Sequence, residues 1–324
     1  MSALVSYPDF TLTATLSGGS WASTYPLSNL KTRFLSQKAR TTDDSLASAT
    51  VLVDLGAPLD VRVLGILSHN ISGLGTIRFR GYSDSGYTTL VTGADTGAVR
   101  AFPAYDATYD KNSIWLRADY YTCLQMALGT IPQDLAYDFN NDGVVNINDV
   151  IIALNYAQAT GLDYCGQWKP NWLYSLTAAK TARFWKVEIS DTSNLDAYIE
   201  FGRLWIGPAS FAPAVDISYG ATLVQESNDL IDTSLDGVMW ANKRPSRRMA
   251  TVDYNVLTAA EKQAALLMQR HLGLTGELVW MMDSAATARD MMMEAFLATI
   301  EKASPITYAY HNVHELPLVF REVL

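Results

Sequence analysis

The chain has 324 residues, room for two domains with cores of their own, and its 49% hydrophobic content is that of a folded protein. A formal net charge of −9 argues against nucleic-acid binding, which needs a basic face. No run of about 18 apolar residues occurs, and Met1 to Asp9 lacks the basic and apolar regions of a leader, so the sequence predicts synthesis in the cytoplasm without membrane insertion. From Thr11 onward, short alternating runs broken by turn residues predict an all-β sandwich. Thr50–Leu55, Val61–Ser68, Thr76–Tyr82 and Ser113–Ala118 each read as one strand, with Gly56-Ala57-Pro58, Gly73-Leu74-Gly75 and Asp84-Ser85-Gly86 as turns between them. His69 and Asn70 end one such run; a strand end with the imidazole bonded to a backbone carbonyl is the commoner arrangement there than a functional pair.

The texture changes over residues 120–179. Leu124–Leu128 is compatible with a helix, and Tyr137–Ala157 reads as a calcium loop running into a helix. Asp138, Asn140 and Asp142 place side-chain oxygens at alternate positions, Gly143 permits the sharp turn, and Val144 offers a carbonyl. Asn146 falls where a ligand acts through water, and Asp149 closes the loop. A hard cation such as Ca2+ takes about six to eight oxygens, and this spacing delivers most of them from one segment. Val145, the apolar residue inside the loop, is expected to point towards the body of the fold. Asp232 to Gly237 is a near match with Lys243 where the closing acid belongs, so it reads as a turn. Cys123 and Cys165 flank the loop; a disulfide closing the segment and two reduced thiols are both compatible with the spacing, and cytoplasmic synthesis favours the thiols. Trp168 and Trp172, with Tyr164 and Tyr174, read as packing for this segment rather than as sugar-stacking platforms.

Two later runs, Arg183–Ser190 and Ala197–Ile206, return to strand pattern, so the segment is an insertion between strands of one sandwich. Pro208–Pro213 reads as a linker. Beyond it, Gly220–Glu226 and Met249–Tyr254 predict strands on either side of a basic patch, Arg244, Arg247 and Arg248. Thr258 and Glu261 form a capping box for a helix reaching Leu272, stopped by Gly273. Gly276–Met282 reads as a buried strand; Ala285–Ile300 is open between helix and strand; Ile306–Tyr310 and Leu316–Val323 read as paired strands. The methionines Met291, Met292 and Met293 suit irregular core packing or an adaptable interface.

Several of these stretches carry resemblances. The loop Asp138 to Asp149 resembles a single dockerin repeat, a calcium loop followed by one helix. The order Trp21, Leu30, Ala39-Arg40, Val53-Asp54-Leu55-Gly56, Leu67-Ser68-His69-Asn70 and Arg183 to Ile189 resembles a galactose-binding-like, discoidin-type jelly roll, in the version found in bacteriophage tail proteins. The C-terminal part resembles the tail-tube-like sandwich-plus-helix of phage tube, distal-tail and hub proteins. The implied fold is mainly β: a jelly-roll sandwich over residues 1–119 and 180–207, a small α-helical calcium-loop insertion over 120–179, and a tail-tube-like, ring-forming domain over 214–324. The implied role is that of a distal-tail or baseplate subunit of the virion, in a homo-oligomeric, sixfold ring with other tail proteins. The jelly roll would face outward towards the host surface or a neighbouring protein, and Ca2+ would be the cofactor.

Catalytic patterns do not compete with this reading. The sequence contains no Gly-x-Ser-x-Gly elbow, no phosphate-binding glycine loop and no His-Glu-x-x-His helix, and His311 and Asn312-Val313-His314 read as structural. A non-enzymatic chain is expected. A carbohydrate-binding module gripping a polysaccharide through its jelly-roll loops is the alternative.

Overall fold

The computed structural model describes residues 2–71, 75–101, 117–138, 142–151, 171–192, 194, 196–233, 239–242, 244, 246–302, 304–310 and 312–324. Strands β1 (Leu4–Ser6), β2 (Thr15–Ser17), β3 (Ala39–Arg40), β4 (Thr50–His69), β5 (Thr76–Tyr82), β6 (Leu90–Asp95) and β7 (Val99–Arg100) precede helix α1 (Arg117–Ala127) and a helical stretch at 147–151, α2. Then come β8 (Asn171–Ser190), β9 (Glu200–Gly207), β10 (Thr222–Glu226), β11 (Leu230–Thr233), β12 (Met239–Asn242) and β13 (Arg247–Leu257). Helix α3 (Ala259–Leu272), β14 (Glu277–Met281), helix α4 (Ala288–Glu294), β15 (Ala295–Ile300), β16 (Thr307–Tyr310) and β17 (Val313–Glu322) complete the chain.

The fold is mainly β, built on two antiparallel sheets. The first runs β3-β9-β4-β8-β5-β6, with β2 added on β4 and β7 on β5. Its spine is the pair β4 and β8, each 20 residues long, in register from Thr50 opposite Glu188 to Leu67 opposite Asn171. Strand β4 changes neighbours along its length, from β2 at Leu52–Asp54 to β9 at Val63–His69, and so carries the sheet over onto itself. Val51, Val53, Ile66, Phe79, Trp185 and Phe201 fill the enclosed core. This is the expected jelly-roll sandwich, with one difference in its wiring. Thr50–Leu55 and Val61–Ser68 belong to one strand, because Gly56-Ala57-Pro58 forms an exposed elbow with shifted register instead of a turn that ends the pairing.

Two domain limits move. Strand β8 begins at Asn171, so residues 171–179 belong to the sandwich and not to the insertion. Trp172, Leu173, Ser175 and Leu176 are buried on either side of half-buried Tyr174, and a strand covered on both faces shows no alternation to read. Strand β1 pairs with β14 in the second sheet, and the predicted linker is pinned to it: Val5 N–H donates to the Phe211 carbonyl at 2.8 Å, with Phe211 buried. Arg117 and Ala118 open α1 instead of closing a strand; the rest of that predicted strand lies outside the described residues.

The second sheet runs β1-β14-β15-β17-β13-β10, with β16 on β17. Alternation along β14 sorts its two faces: Leu278 and Trp280 face a core shared with Ala265, Met268 and Leu272 of α3, whereas Val279 and Met281 meet Val63, Leu67 and Trp205 of the first sheet. The capping box is formed, with Thr258 Oγ1 accepting from Glu261 N–H and Glu261 Oε2 accepting from Thr258 N–H at 2.8 Å. The ambiguous stretch contains both, α4 running directly into β15, and two of its three methionines go to the core: Met292 joins the sandwich interior and Met291 the inter-sheet cluster, while Met293 is half-buried.

Charged groups also cross between the sheets. Arg203 on β9 is buried, its Nε donating to Asp9 Oδ2 at 2.9 Å and its Nη1 to Glu277 Oε2 on β14. The basic patch is not one surface. Arg248 is buried against Glu322 and donates to the carbonyls of Met292, Met293 and Ala295, so it staples β13, β15 and β17, while Arg244 remains exposed. Among the described residues, no helix is long and apolar enough to cross a membrane.

Candidate metal centre

Helix α1 and the loop after it build a small lobe whose core is Cys123, Met126, Tyr137, Val145 and Val150. Val145 is therefore turned inward, beneath the loop, and Gln133 Nε2 donates to its carbonyl at 2.9 Å. A 3-10 turn, Leu135–Tyr137, leads into Asp138, so the loop is entered from a turn and left by α2. Gly143 has φ +90°, a left-handed conformation that a Cβ would strain, and this turns the chain between Asp142 and Val144.

The fold brings three of the predicted ligands together. One carboxylate oxygen each from Asp138, Asp142 and Asp149 lies within 4.8 Å of the other two. Asp149 is fully buried and Asp138 nearly so, while Asp142 is exposed at the mouth. Backbone groups hold them in place. Asp138 accepts from the N–H of Asp142 at 3.1 Å and of Gly143 at 2.8 Å, and Asp149 Oδ2 accepts from Asn146 N–H at 2.9 Å. Asn146 Nδ2 donates to Asp142 Oδ2 at 2.9 Å and to the Val144 carbonyl at 3.1 Å, which ties two more of the predicted ligands to the same cluster. Asn140 lies outside the described residues, as do Cys165, Trp168 and Tyr164.

Three carboxylates this close, two of them withdrawn from water, repel one another, and a cation between them would offset that repulsion. The donor set is all oxygen, which suits a hard divalent cation and excludes the sulfur and imidazole ligands of a zinc site. The residues therefore fit a metal ion. What the sequence did not reveal is the apolar platform: Cys123 and Met126 sit on one face of α1, a helix whose start, Arg117 and Ala118, lies in a run that reads as strand.

Other flagged residues find structural places. Trp172 belongs to the sandwich, stacked between Phe79 at 5.5 Å and Tyr174 at 5.7 Å, and not to the insertion. His69 is buried, and its Nδ1 accepts from Ile71 N–H at 3.2 Å, so the imidazole meets a backbone N–H where a carbonyl was expected. Asp232 lies in β11, opposite Trp240. His314 is buried on β17 with its ring edge-on to Tyr308, and His311 lies outside the described residues.

No family model matches the sequence, and no curated protein matches it. Among solved structures the chain is similar to an F-lectin (fucolectin) from the serum of Morone saxatilis, the striped bass, at 8% identity and a TM-score of 0.34, over 98% of this chain and 99% of that one. A likeness of that size carries no argument about function.

Proposed function

We propose that this chain is a non-enzymatic structural subunit that assembles with copies of itself into a ring at the tail end of a bacteriophage, with a lobe ordered by Ca2+. The observation that carries the reading is the hairpin β11–β12. It forms a two-stranded sheet of its own, apart from both large sheets, and all four residues of β12 are exposed. Trp240 is 68% exposed, Met239 66% and Leu230 52%. A lone hairpin is marginal in water, and each such side chain gains about 1.5–3 kcal/mol on full burial, so this arm is built to be covered. Beside it β10 ends the second sheet, presenting an edge that can pair with another chain. A second copy offers the same edge and the same arm, and a head-to-tail contact between them closes into a ring.

The calcium part of the reading rests on the all-oxygen cluster of Asp138, Asp142 and Asp149 with the Val144 carbonyl and Asn146 beside it. Native mass spectrometry and electron microscopy of the whole chain, with Ca2+ and with chelator, test the assembly. A sixfold ring that Trp240→Ser reduces to monomers is the expected result. A chain that stays monomeric at every concentration, with Ca2+ present, overturns it.

A further inference from the structure

Between the sheets lies a cleft of about 410 Å³, walled by β8, by Arg62 of β4, by Arg100 at the end of β7, and by the segment from Ser284 into α4. Its size falls in the range of small-ligand sites, roughly 300–1,000 Å³. Its polar chemistry is one-sided. In a chain of net charge −9, no Asp or Glu among the described residues lines it, whereas two arginines do. Eight other arginines are ion-paired, among them Arg40, Arg78, Arg183 and Arg203, but Arg62 and Arg100 have no carboxylate partner among the described residues. Arg62 is half-buried, with Nε donating to Ser175 Oγ at 3.2 Å, and its two terminal nitrogens have no acceptor among the described residues. Burial alone lowers its pKa, as expected of a cation taken from water without a counter-ion.

A second donor points the same way. Asn171, which lines the cleft, is 6% exposed, and its Oδ1 accepts from Ser68 N–H at 2.9 Å, which fixes the amide and leaves Nδ2 without an acceptor among the described residues. The third component is apolar: Tyr174, half-buried, is the outer ring of the stack begun by Phe79 and Trp172. Guanidinium groups, a fixed amide donor and an aromatic plane, with hydroxyls from Ser175 and Thr177 at hand, make a site that gives hydrogen bonds to an anion and lies flat against a ring.

We propose that this cleft binds an acidic sugar, of which a uronic acid is the simplest, its carboxylate held by Arg62 and Arg100, a ring or hydroxyl oxygen by Asn171, and its ring face by Tyr174. The site lies within one chain and does not depend on ring assembly: a monomer that binds uronate would remove the assembly reading and leave this one standing.

Isothermal titration of the full chain with galacturonate, glucuronate, glucose, benzoate and inorganic phosphate tests it. Saturable binding of a uronate, at least tenfold tighter than glucose, benzoate or phosphate, is expected, and so is weaker binding as salt rises. Arg62→Gln should weaken it at least tenfold. Asn171→Asp, which keeps the acceptor for Ser68 N–H while replacing the donor by a negative charge, should do the same. Equal affinity for glucose would show that the charge is not read, and equal affinity for phosphate or benzoate that the sugar is not. Either result, an absence of saturable uronate binding, or unchanged affinity in both variants overturns the proposal. The ligand series on the unmodified chain decides the matter even where a variant fails to fold.

Discussion

Buried His69 gives this protein a dependence on pH whose sign and size follow from its surroundings. The imidazole is sealed in the sandwich and accepts from Ile71 N–H through Nδ1, an arrangement that only the neutral ring can make. Desolvation, with the positive charge of Lys38 adding to it, pushes its pKa down from 6.5 to about 3. The unfolded chain takes up this proton below pH 6.5 and the native chain does not, so stability is complete above that pH and falls as pH drops towards 3. At pH 5 the unfolded ring is almost wholly protonated and the native ring almost wholly neutral, which costs about 2 kcal/mol relative to pH 8, rising to about 4 kcal/mol near pH 3. Asn at this position keeps an acceptor for Ile71 N–H and cannot titrate. Urea unfolding at pH 8 and pH 5 should therefore show the native chain losing about 2 kcal/mol more than His69→Asn. His314, whose pKa is also lowered by burial, is common to both proteins and cancels in the difference. Equal losses in the two proteins would refute the assignment of a neutral, proton-refusing ring.

Three further outcomes are expected. Saturating the metal centre at about 100 times the dissociation constant adds about 2.7 kcal/mol, so Ca2+ raises the melting temperature of the native chain but not that of Asp142→Ala; equal melting of the native chain in Ca2+ and in chelator removes the site. Arg203→Met strands the buried carboxylate of Asp9 and takes from Glu277 one of its two arginine partners, at a cost of about 3–5 kcal/mol by denaturant titration, and adding Asp9→Asn recovers part of the loss. Gly202→Ala sets a Cβ 2.3 Å from the Leu35 carbonyl oxygen, where backbone must move, and should cost about 1–3 kcal/mol in the same assay; a neutral result means that β9 can drift from the segment it covers.

How much of this was legible depended on range. Local signals survived into the structure: the cap at Thr258 and Glu261, the strand Thr76–Tyr82, and the oxygen ladder Asp138, Asp142 and Asp149 each depend on residues a few positions apart. What failed was whatever a distant partner decides. Gly56-Ala57-Pro58 reads as a chain-reversing turn, and only continued pairing with β8 makes it an elbow. Arg248 reads as surface charge because Glu322, which neutralises it, lies at the other end of the domain's sequence. Trp172 reads as belonging to the insertion because Phe79, on which it stacks, is far away along the chain.

The same long-range pairing bears on how the two sheets act together. Strand β1 is three residues, too short to hold a sheet edge by itself, yet Ser2 N–H donates to Asp283 Oδ1 at 3.0 Å, Ala3 N–H to Asp216 Oδ1 at 2.9 Å, and Val5 exchanges bonds with Phe211. The N-terminus is thus anchored in the second sheet, while Asp9, a few residues on, is buried against Arg203 of the first. Pulling either sheet away would break this tether, expose the cluster of Leu4, Val63, Trp205, Val279 and Leu297, and open the Arg203 pair to water in one event. Sheets coupled in this way are expected to unfold together, so urea transitions followed by far-UV circular dichroism and by tryptophan fluorescence should coincide, and two separated transitions would refute the coupling.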